Sequence, residues 1–356
     1  MRAKFRRVLI VKLSALGDVA HALPVVDYLR RAAPGAAIDW AVDRRFASLL
    51  EGHPGLRRVV PLDIRKWKAT WMTAEARAEA AEAVPFLRAG AYDAAFDIQG
   101  NAKSGVVTRL SGAPLRFGFD RRGVRETPNL LFTNRKVALR PEDGHIVSKL
   151  LRVACAPFGG DVPASPGLGE IAIGAAESER AKRIVSEALP GAFPLLVVHP
   201  GTTWRTKRMD PEFWAAVLRV LRAWLPGLGV LLSWGSEEER EEALRISDLA
   251  GGITALMPRL SIREWAAVCR LCGFLLAPDT GPLHVGAAAG AKTVSVFRAT
   301  GGNRNAPQGD GHRFLQAPLP CTACLKKRCD RDPECRKSID PSSAARAMAA
   351  LMESFC

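Results

Sequence analysis

Aromatic side chains are scarce in this chain: 7% of its 356 residues are Phe, Trp or Tyr, and two of those are tyrosines. A protein that stacks successive bases of a single strand needs more of them, so that class of binding is disfavoured. Long apolar runs are lacking too, and no stretch approaches the ~20 residues of a membrane span. The apolar run 8–11 is cut by Lys12, well short of the roughly 7–15 residues of a secretory h-region. It reads instead as the first strand of a cytoplasmic protein. No GxGxxG follows any predicted strand, which removes the dinucleotide fingerprint and disfavours a Rossmann oxidoreductase.

What is present points elsewhere. Hydrophobic residues make up 48% of the chain, enough for a sizeable core, and the length favours two domains over one. The net charge is +15, and it is unevenly spread. The first 150 residues hold 26 Lys and Arg against 15 Asp and Glu, an excess of 11. An anionic partner of the N-terminal half is implied: a phosphorylated substrate, membrane headgroups or nucleic acid. A solvated arginine-rich surface accounts for part of the same excess. Of eight cysteines, four cluster as Cys321-x2-Cys324-x4-Cys329-x5-Cys335. Four thiolates can close a tetrahedral zinc site, but these spacings match no standard knuckle pair. Disulfides and free thiols in a basic loop remain open beside structural zinc.

Along the chain, short apolar runs alternate with amphipathic stretches, the rhythm of a parallel α/β sheet. Predicted strands cover 7–13, 37–42, 58–62, 92–98 and 115–119, with helices at 20–31, 46–51 and 73–88. Asp18 lies between the first strand and its helix. It is either a carboxylate favoured by the helix dipole or one aimed from a strand end at a substrate, as general-base work requires. Arg65, Lys66, Lys68, Arg121, Arg122 and Arg125 all fall in loops after strands, the edge where α/β folds bind ligands. A Pro/Gly-rich passage at 156–169 precedes a second set of similar size. Its strands are predicted at 194–199, 230–234 and 254–257. The loop 200–208 is rich in hydroxyls and cations, and Gly235-Ser236-Glu237-Glu238-Glu239 opens an acidic helix.

The second set culminates in residues 274–300, FLLAPDTGPLHVGAAAGAKTVSVFRAT. An apolar strand breaks at Asp279-Thr280-Gly281, and a helix starts near Pro282. A helix that begins at a strand end directs unpaired N–H groups and its dipole at a ligand, a setting suited to phosphate. The plainer reading is that Asp279 or Thr280 caps the helix while His284 packs in the core. The expected domains are 1–175 and 176–340, doubly wound and facing a cleft. Residues 341–356 are expected to form a helix packed back on the N-terminal domain.

Eight segments in order, VLIVKLSALGDVAHALP, IDWAVDRRF, VVPLDIRKW, YDAAFDIQGNAKS, LLFTNRK, HPGTTWRTKRMDPEFW, WGSEEER and DTGPLH, give the chain a resemblance over most of its length. It resembles glycosyltransferase family 9, the lipopolysaccharide heptosyltransferases, and is most similar to the heptosyltransferase I group. The resemblance implies a GT-B architecture of two Rossmann-like domains, with the donor held by the C-terminal one. It implies inverting, metal-independent transfer of L-glycero-D-manno-heptose from ADP-heptose to a Kdo residue on lipid A, with Asp18 as the base. Donor contacts would fall to Thr202, Thr203, Lys207, Glu239 (with Glu238 as an alternative), Leu260, Asp279, Thr280, Gly281 and His284. Arg65, Lys66, Lys68 and Arg125 would hold the acceptor's phosphates and carboxylates. No cofactor is implied for catalysis and no nucleic acid as partner. The expected location is cytoplasmic, in peripheral contact with the anionic inner face of the membrane. Two departures stand out: 297–302 reads FRATGG where many relatives have a Gly-Pro-Thr turn, and Leu260 replaces a methionine. The alternative within the family is another nucleotide sugar or another core acceptor, as in a heptosyltransferase II-like enzyme.

Overall fold

The computed structural model describes residues 4–64, 84–252 and 254–353. The chain divides into two compact units, Met1–Ala172 and Ile173–Cys356. Arg65, Lys66 and Lys68, and most of the helix expected at 73–88, lie outside the described residues.

The first unit is built on a six-stranded sheet. Its strands are β1 (Arg7–Val11), β2 (Ala37–Asp43), β3 (Arg58–Leu62), β4 (Ala94–Asp97), β5 (Leu115–Phe119) and β6 (Arg135–Val137), ordered β3-β2-β1-β4-β5-β6. Every pairing is parallel. β1 carries a continuous apolar run because both its faces are covered: Val8 to Val11 are fully buried. Two helices follow where one was expected, α1 (Leu16–Ala20) and α2 (Leu23–Ala32). Pro24 explains the break, since proline fits the first turn of a helix but not its interior. The stretch expected as a helix at 46–51 is a 3-10 turn, Arg44–Leu49, with the Asp43 carboxylate accepting the Arg45 N–H. α3 (Ala102–Leu110) and α4 (Ile146–Cys155) complete the unit's main helices, and α4 packs on α2.

The second unit repeats the plan. β7 (Leu195–Val198), β8 (Gly229–Leu232), β9 (Thr254–Leu256), β10 (Phe274–Pro278), β11 (Lys292–Phe297) and β12 (His312–Gln316) run in the order β12-β11-β10-β7-β8-β9. This is the same doubly wound sequence read from the other edge, and it is again all parallel. Its helices are α5 (Ala175–Ala188), α6 (Pro211–Trp224), α7 (Glu237–Ala250), α8 (Ile262–Cys272), α9 (Gly281–Ala288), α10 (Gly302–Asn305), α11 (Asp332–Lys337) and α12 (Pro341–Glu353). In each unit the crossover reverses direction at the middle of the sheet, between β1 and β4 and between β7 and β10. Two six-stranded, all-parallel sheets of this order make the chain an α/β protein of two doubly wound units.

The last helix corrects an expectation. α12 buries Ala344, Ala345, Met348, Ala349, Leu351 and Met352 in the core of the second unit, with Trp214, Leu218 and Leu221 of α6 in the same cluster. Its apolar stripe thus completes the second unit rather than returning to the first. The cysteine cluster is a second correction. Among the described residues no group of three or more His, Cys, Asp or Glu side chains is placed to hold a metal ion. Cys321, in a turn, and Cys324, just past it, are both exposed, whereas Cys335 sits on α11 and packs against the core, so the cluster does not form the closed set of ligands that zinc would demand.

Candidate functional site

The second unit gathers polar side chains at the carboxyl end of β10. Asp279 follows that strand directly and is buried. Its Oδ2 accepts from Lys207 Nζ at 2.7 Å and from Thr300 Oγ1 at 2.6 Å. His284 Nε2, one turn into α9, lies 3.3 Å from its Oδ1. Burial alone would raise the Asp279 pKa, but His284 and Lys207 outweigh it and hold the carboxyl well below the usual carboxylate range. The Thr202 hydroxyl donates to the Asp279 backbone carbonyl at 3.2 Å, tying the loop after β7 to the end of β10. These two strands are the pair between which the sheet reverses, the position where doubly wound sheets bind ligands.

α9 starts at Gly281 with Thr280 as its N-cap and Pro282 in the first turn. The Thr280 side chain makes no cap hydrogen bond, so capping does not explain that residue. The helix start faces the ligand end of the sheet, and its unpaired N–H groups and dipole suit an anion. Trp204 lies on the neighbouring loop with Lys207 Nζ 4.8 Å from its ring centroid. Thr203 is exposed on the same loop. His199, directly after β7, is buried, and its Nδ1 meets Ser233 Oγ at 2.9 Å. Burial pushes its pKa down to about 4, against the raising effect of Glu239 and of a bond at the Gly201 backbone.

Glu239 and Glu238 are separated by their partners. Glu239 Oε2 accepts the Gly235 N–H at 2.7 Å, and its carboxylate lies where a Cβ on Gly201 would stand, 2.4 Å away. Glycine at 201 thus lets Glu239 reach the end of β7. Glu238 instead pairs with Arg208 at 2.7 Å. Leu260 is half-buried just before Ser261, the N-cap of α8.

In the first unit Asp18 is partly exposed on α1, and its Oδ2 accepts the Ala15 N–H at 3.2 Å. The segment before it is held from the far side of the switch between β1 and β4. Gln99 Oε1 accepts from the backbone N–H groups of Leu13 and Ser14 at 3.3 and 3.4 Å. Gln99 is itself fixed by Asp97, which is fully buried at the end of β4. Asp97 accepts the Gln99 and Gly100 N–H groups, the Ser104 hydroxyl at 3.0 Å and the Asn129 amide at 2.6 Å. Its burial raises the Asp97 pKa against these donors. Arg125 is exposed, with its backbone N–H bonded to Gly100 O at 3.0 Å, so it stands beside the same strand end.

The structure therefore brings Thr202, Lys207, Asp279, Gly281 and His284 together in one unit, with Thr203, Thr280 and Glu239 on the adjoining loop and helix starts. It places Asp18 and Arg125 at the ligand end of the other sheet. Thr300, Gln99, Asp97 and Asn129 were missed. Gln99 had a signal, as a carboxamide closing an apolar strand. Thr300 had only its place in the FRATGG departure.

A family model described as glycosyltransferase family 9 (heptosyltransferase) matches residues 84–334. Lipopolysaccharide heptosyltransferase 1 of Pseudomonas aeruginosa is 35% identical over 94% of this chain and 91% of its own length. Its namesake in Escherichia coli K12 is 30% identical over 88% and 94%. Among solved structures, E. coli heptosyltransferase WaaC with ADP-2-deoxy-2-fluoro heptose superposes with a TM-score of 0.70, at 30% identity over 90% of this chain and 97% of that one.

Proposed function

The chain belongs to glycosyltransferase family 9, and from that premise we propose that it transfers L-glycero-D-manno-heptose from ADP-heptose to a Kdo residue of the lipopolysaccharide inner core. The observation that carries this reading is the cluster at the end of β10. Lys207, Thr202 and Thr300 converge on Asp279 beside the start of α9. A donor diphosphate suits that place because backbone N–H groups and an ammonium offset its charge. Glu239, at the edge of the neighbouring strand, suits the hydroxyls of a ribose.

The reaction is an inverting displacement. The acceptor hydroxyl oxygen attacks the anomeric carbon while the bond to the ADP oxygen breaks, and ADP leaves with the bonding pair. Asp18 takes the proton from the attacking hydroxyl, a role its partly exposed carboxylate on the first strand-to-helix connection can fill. Lys207 and the first amides of α9 stabilise the charge that gathers on the departing diphosphate. Arg125, with Arg65, Lys66 and Lys68, would bind the acid groups of the acceptor. No cofactor takes part. The excess positive charge of the first 150 residues suits contact with the anionic membrane surface that holds such an acceptor.

Calorimetric titration of ADP-heptose, ADP-glucose and UDP-glucose tests the donor. Selective binding of ADP-heptose, lost in Asp279→Ala, is the expected result, followed by heptose incorporation into Kdo2-lipid A. Preference for another nucleotide sugar would move the chain to a different activity within its family.

A further inference from the structure

We propose that Lys327 is a second cation for the donor diphosphate, carried into the site by the cysteine-bearing segment 321–327. This rests on the donor reading above and adds a residue to it. Two of the cations already at the site are committed, while Arg205 on the same loop is exposed. Lys207 is paired with Asp279 at 2.7 Å, and Arg208 with Glu238 at 2.7 Å. A diphosphate ester carries one negative charge on each phosphate near neutral pH. An anion leaving water needs counter-charge not already offset by a carboxylate.

Lys327 has such a charge. Its Nζ lies 5.1 Å from the Trp204 ring centroid, against 4.8 Å for Lys207 Nζ on the same ring. No carboxylate is within ion-pair distance of Lys327 among the described residues. Both ammonium groups thus lie about 5 Å from one indole ring, which places Lys327 in the neighbourhood of Lys207.

The segment that presents Lys327 is fastened on two sides. Towards β11, Ala323 N–H donates to Arg298 O at 3.0 Å and Leu325 N–H to Ala299 O at 2.8 Å. The Thr322 hydroxyl adds a bond to Arg298 O at 3.1 Å. Arg298 is buried, and it donates to the Asp332 carboxylate at 2.6 Å and to Arg208 O. Towards the donor loop, the Thr206 hydroxyl donates to Lys326 O at 2.7 Å. Ala323 and Leu325 both have φ of +58°, a left-handed conformation that L side chains rarely adopt. Those backbone bonds hold them there. The segment thus links the Lys207 loop to the strand end that carries Thr300, and its path sets Lys327 beside Trp204.

The test is titration of ADP, with adenosine by competition, into the full-length chain and its Lys327→Ala and Lys327→Arg variants at low and high salt. Lys327→Ala is expected to weaken ADP roughly 1.5- to fivefold, the range for an exposed charge contact. The salt dependence should become shallower, adenosine binding should hold, and arginine should restore most of the affinity. Unchanged ADP affinity in Lys327→Ala, with Lys207→Ala weakened, would overturn the proposal and leave the donor site standing. Equal losses for ADP and adenosine would also overturn it, as the mark of a disturbed segment rather than a missing charge. A parent chain that binds no ADP would overturn both this proposal and the donor reading.

Discussion

Asp18 and His199 both follow the first strand of their unit, His199 directly and Asp18 on the helix beyond it, and their chemistry differs. Asp18 keeps one oxygen on its own helix start through Ala15 and stays partly exposed, so its carboxylate can accept a proton. Asp18→Asn preserves the shape and removes the base. We expect kcat to fall about 10²–10⁴-fold with donor affinity nearly unchanged, measured by heptose transfer and by ADP titration. A variant that keeps near-parental kcat would remove Asp18 from the chemistry. His199 is buried and uncharged. In the unfolded chain it binds a proton near pH 6.5, in the folded one near pH 4. The folded pKa is the lower, so its stability contribution is complete above pH 6.5 and is lost as pH falls towards 4. Melting temperature measured from pH 7 to 4 should therefore drop less steeply in His199→Asn than in the parent. His312, also pushed down to about 4 by burial, keeps some slope in both. The opposite order would show that His199 does not titrate in this way. At this scale the sequence singled out Asp18, Lys207 and Asp279, each of which follows a strand. It concealed Thr300, because only the tertiary pairing of β10 with β11 brings that hydroxyl to a carboxylate 21 residues earlier.

Elements were legible where one local signal dominated and illegible where packing decided. The apolar runs of β1 and β10 marked buried parallel strands. The break between α1 and α2 was available from Pro24 but is subtle, since proline both ends and begins helices. The partner of α12 was not available at all. An amphipathic stripe announces that a helix must bury one face, without saying against what. In the structure Met348 is fully buried among side chains of α6 and the second sheet. Met348→Ala should cost about 2–5 kcal/mol, the range for large apolar side chains truncated in a core. Chemical denaturation would show it as a lower midpoint with unchanged slope. A cost near zero would mean that α12 lies loosely on the unit rather than completing its core.

Across the whole chain, what remains after each unit's core and donor cluster are accounted for is charge. Of the net +15, an excess of 11 falls in the first 150 residues, where arginines follow strand after strand. Some are consumed internally: Arg57 and Arg58 flank the buried Asp39, and Arg152 closes on the buried Asp143. Arg121, Arg122 and Arg125 are exposed around the turn after β5. No helix among the described residues is long and apolar enough to cross a membrane. Each basic side chain near an anionic bilayer contributes about 1 kcal/mol, and the attraction fades within a Debye length of about 10 Å at 0.1 M salt. The chain should therefore sediment with vesicles containing anionic lipid at low ionic strength. It should stay in solution with purely zwitterionic ones and be released as salt is raised. Arg121→Glu combined with Arg122→Glu should weaken the anionic association at least severalfold, while ADP titration, which reads the other unit, stays unchanged. Sedimentation that ignores both lipid charge and salt would assign the arginine excess to the acceptor's own acid groups or to solvation, and not to the membrane.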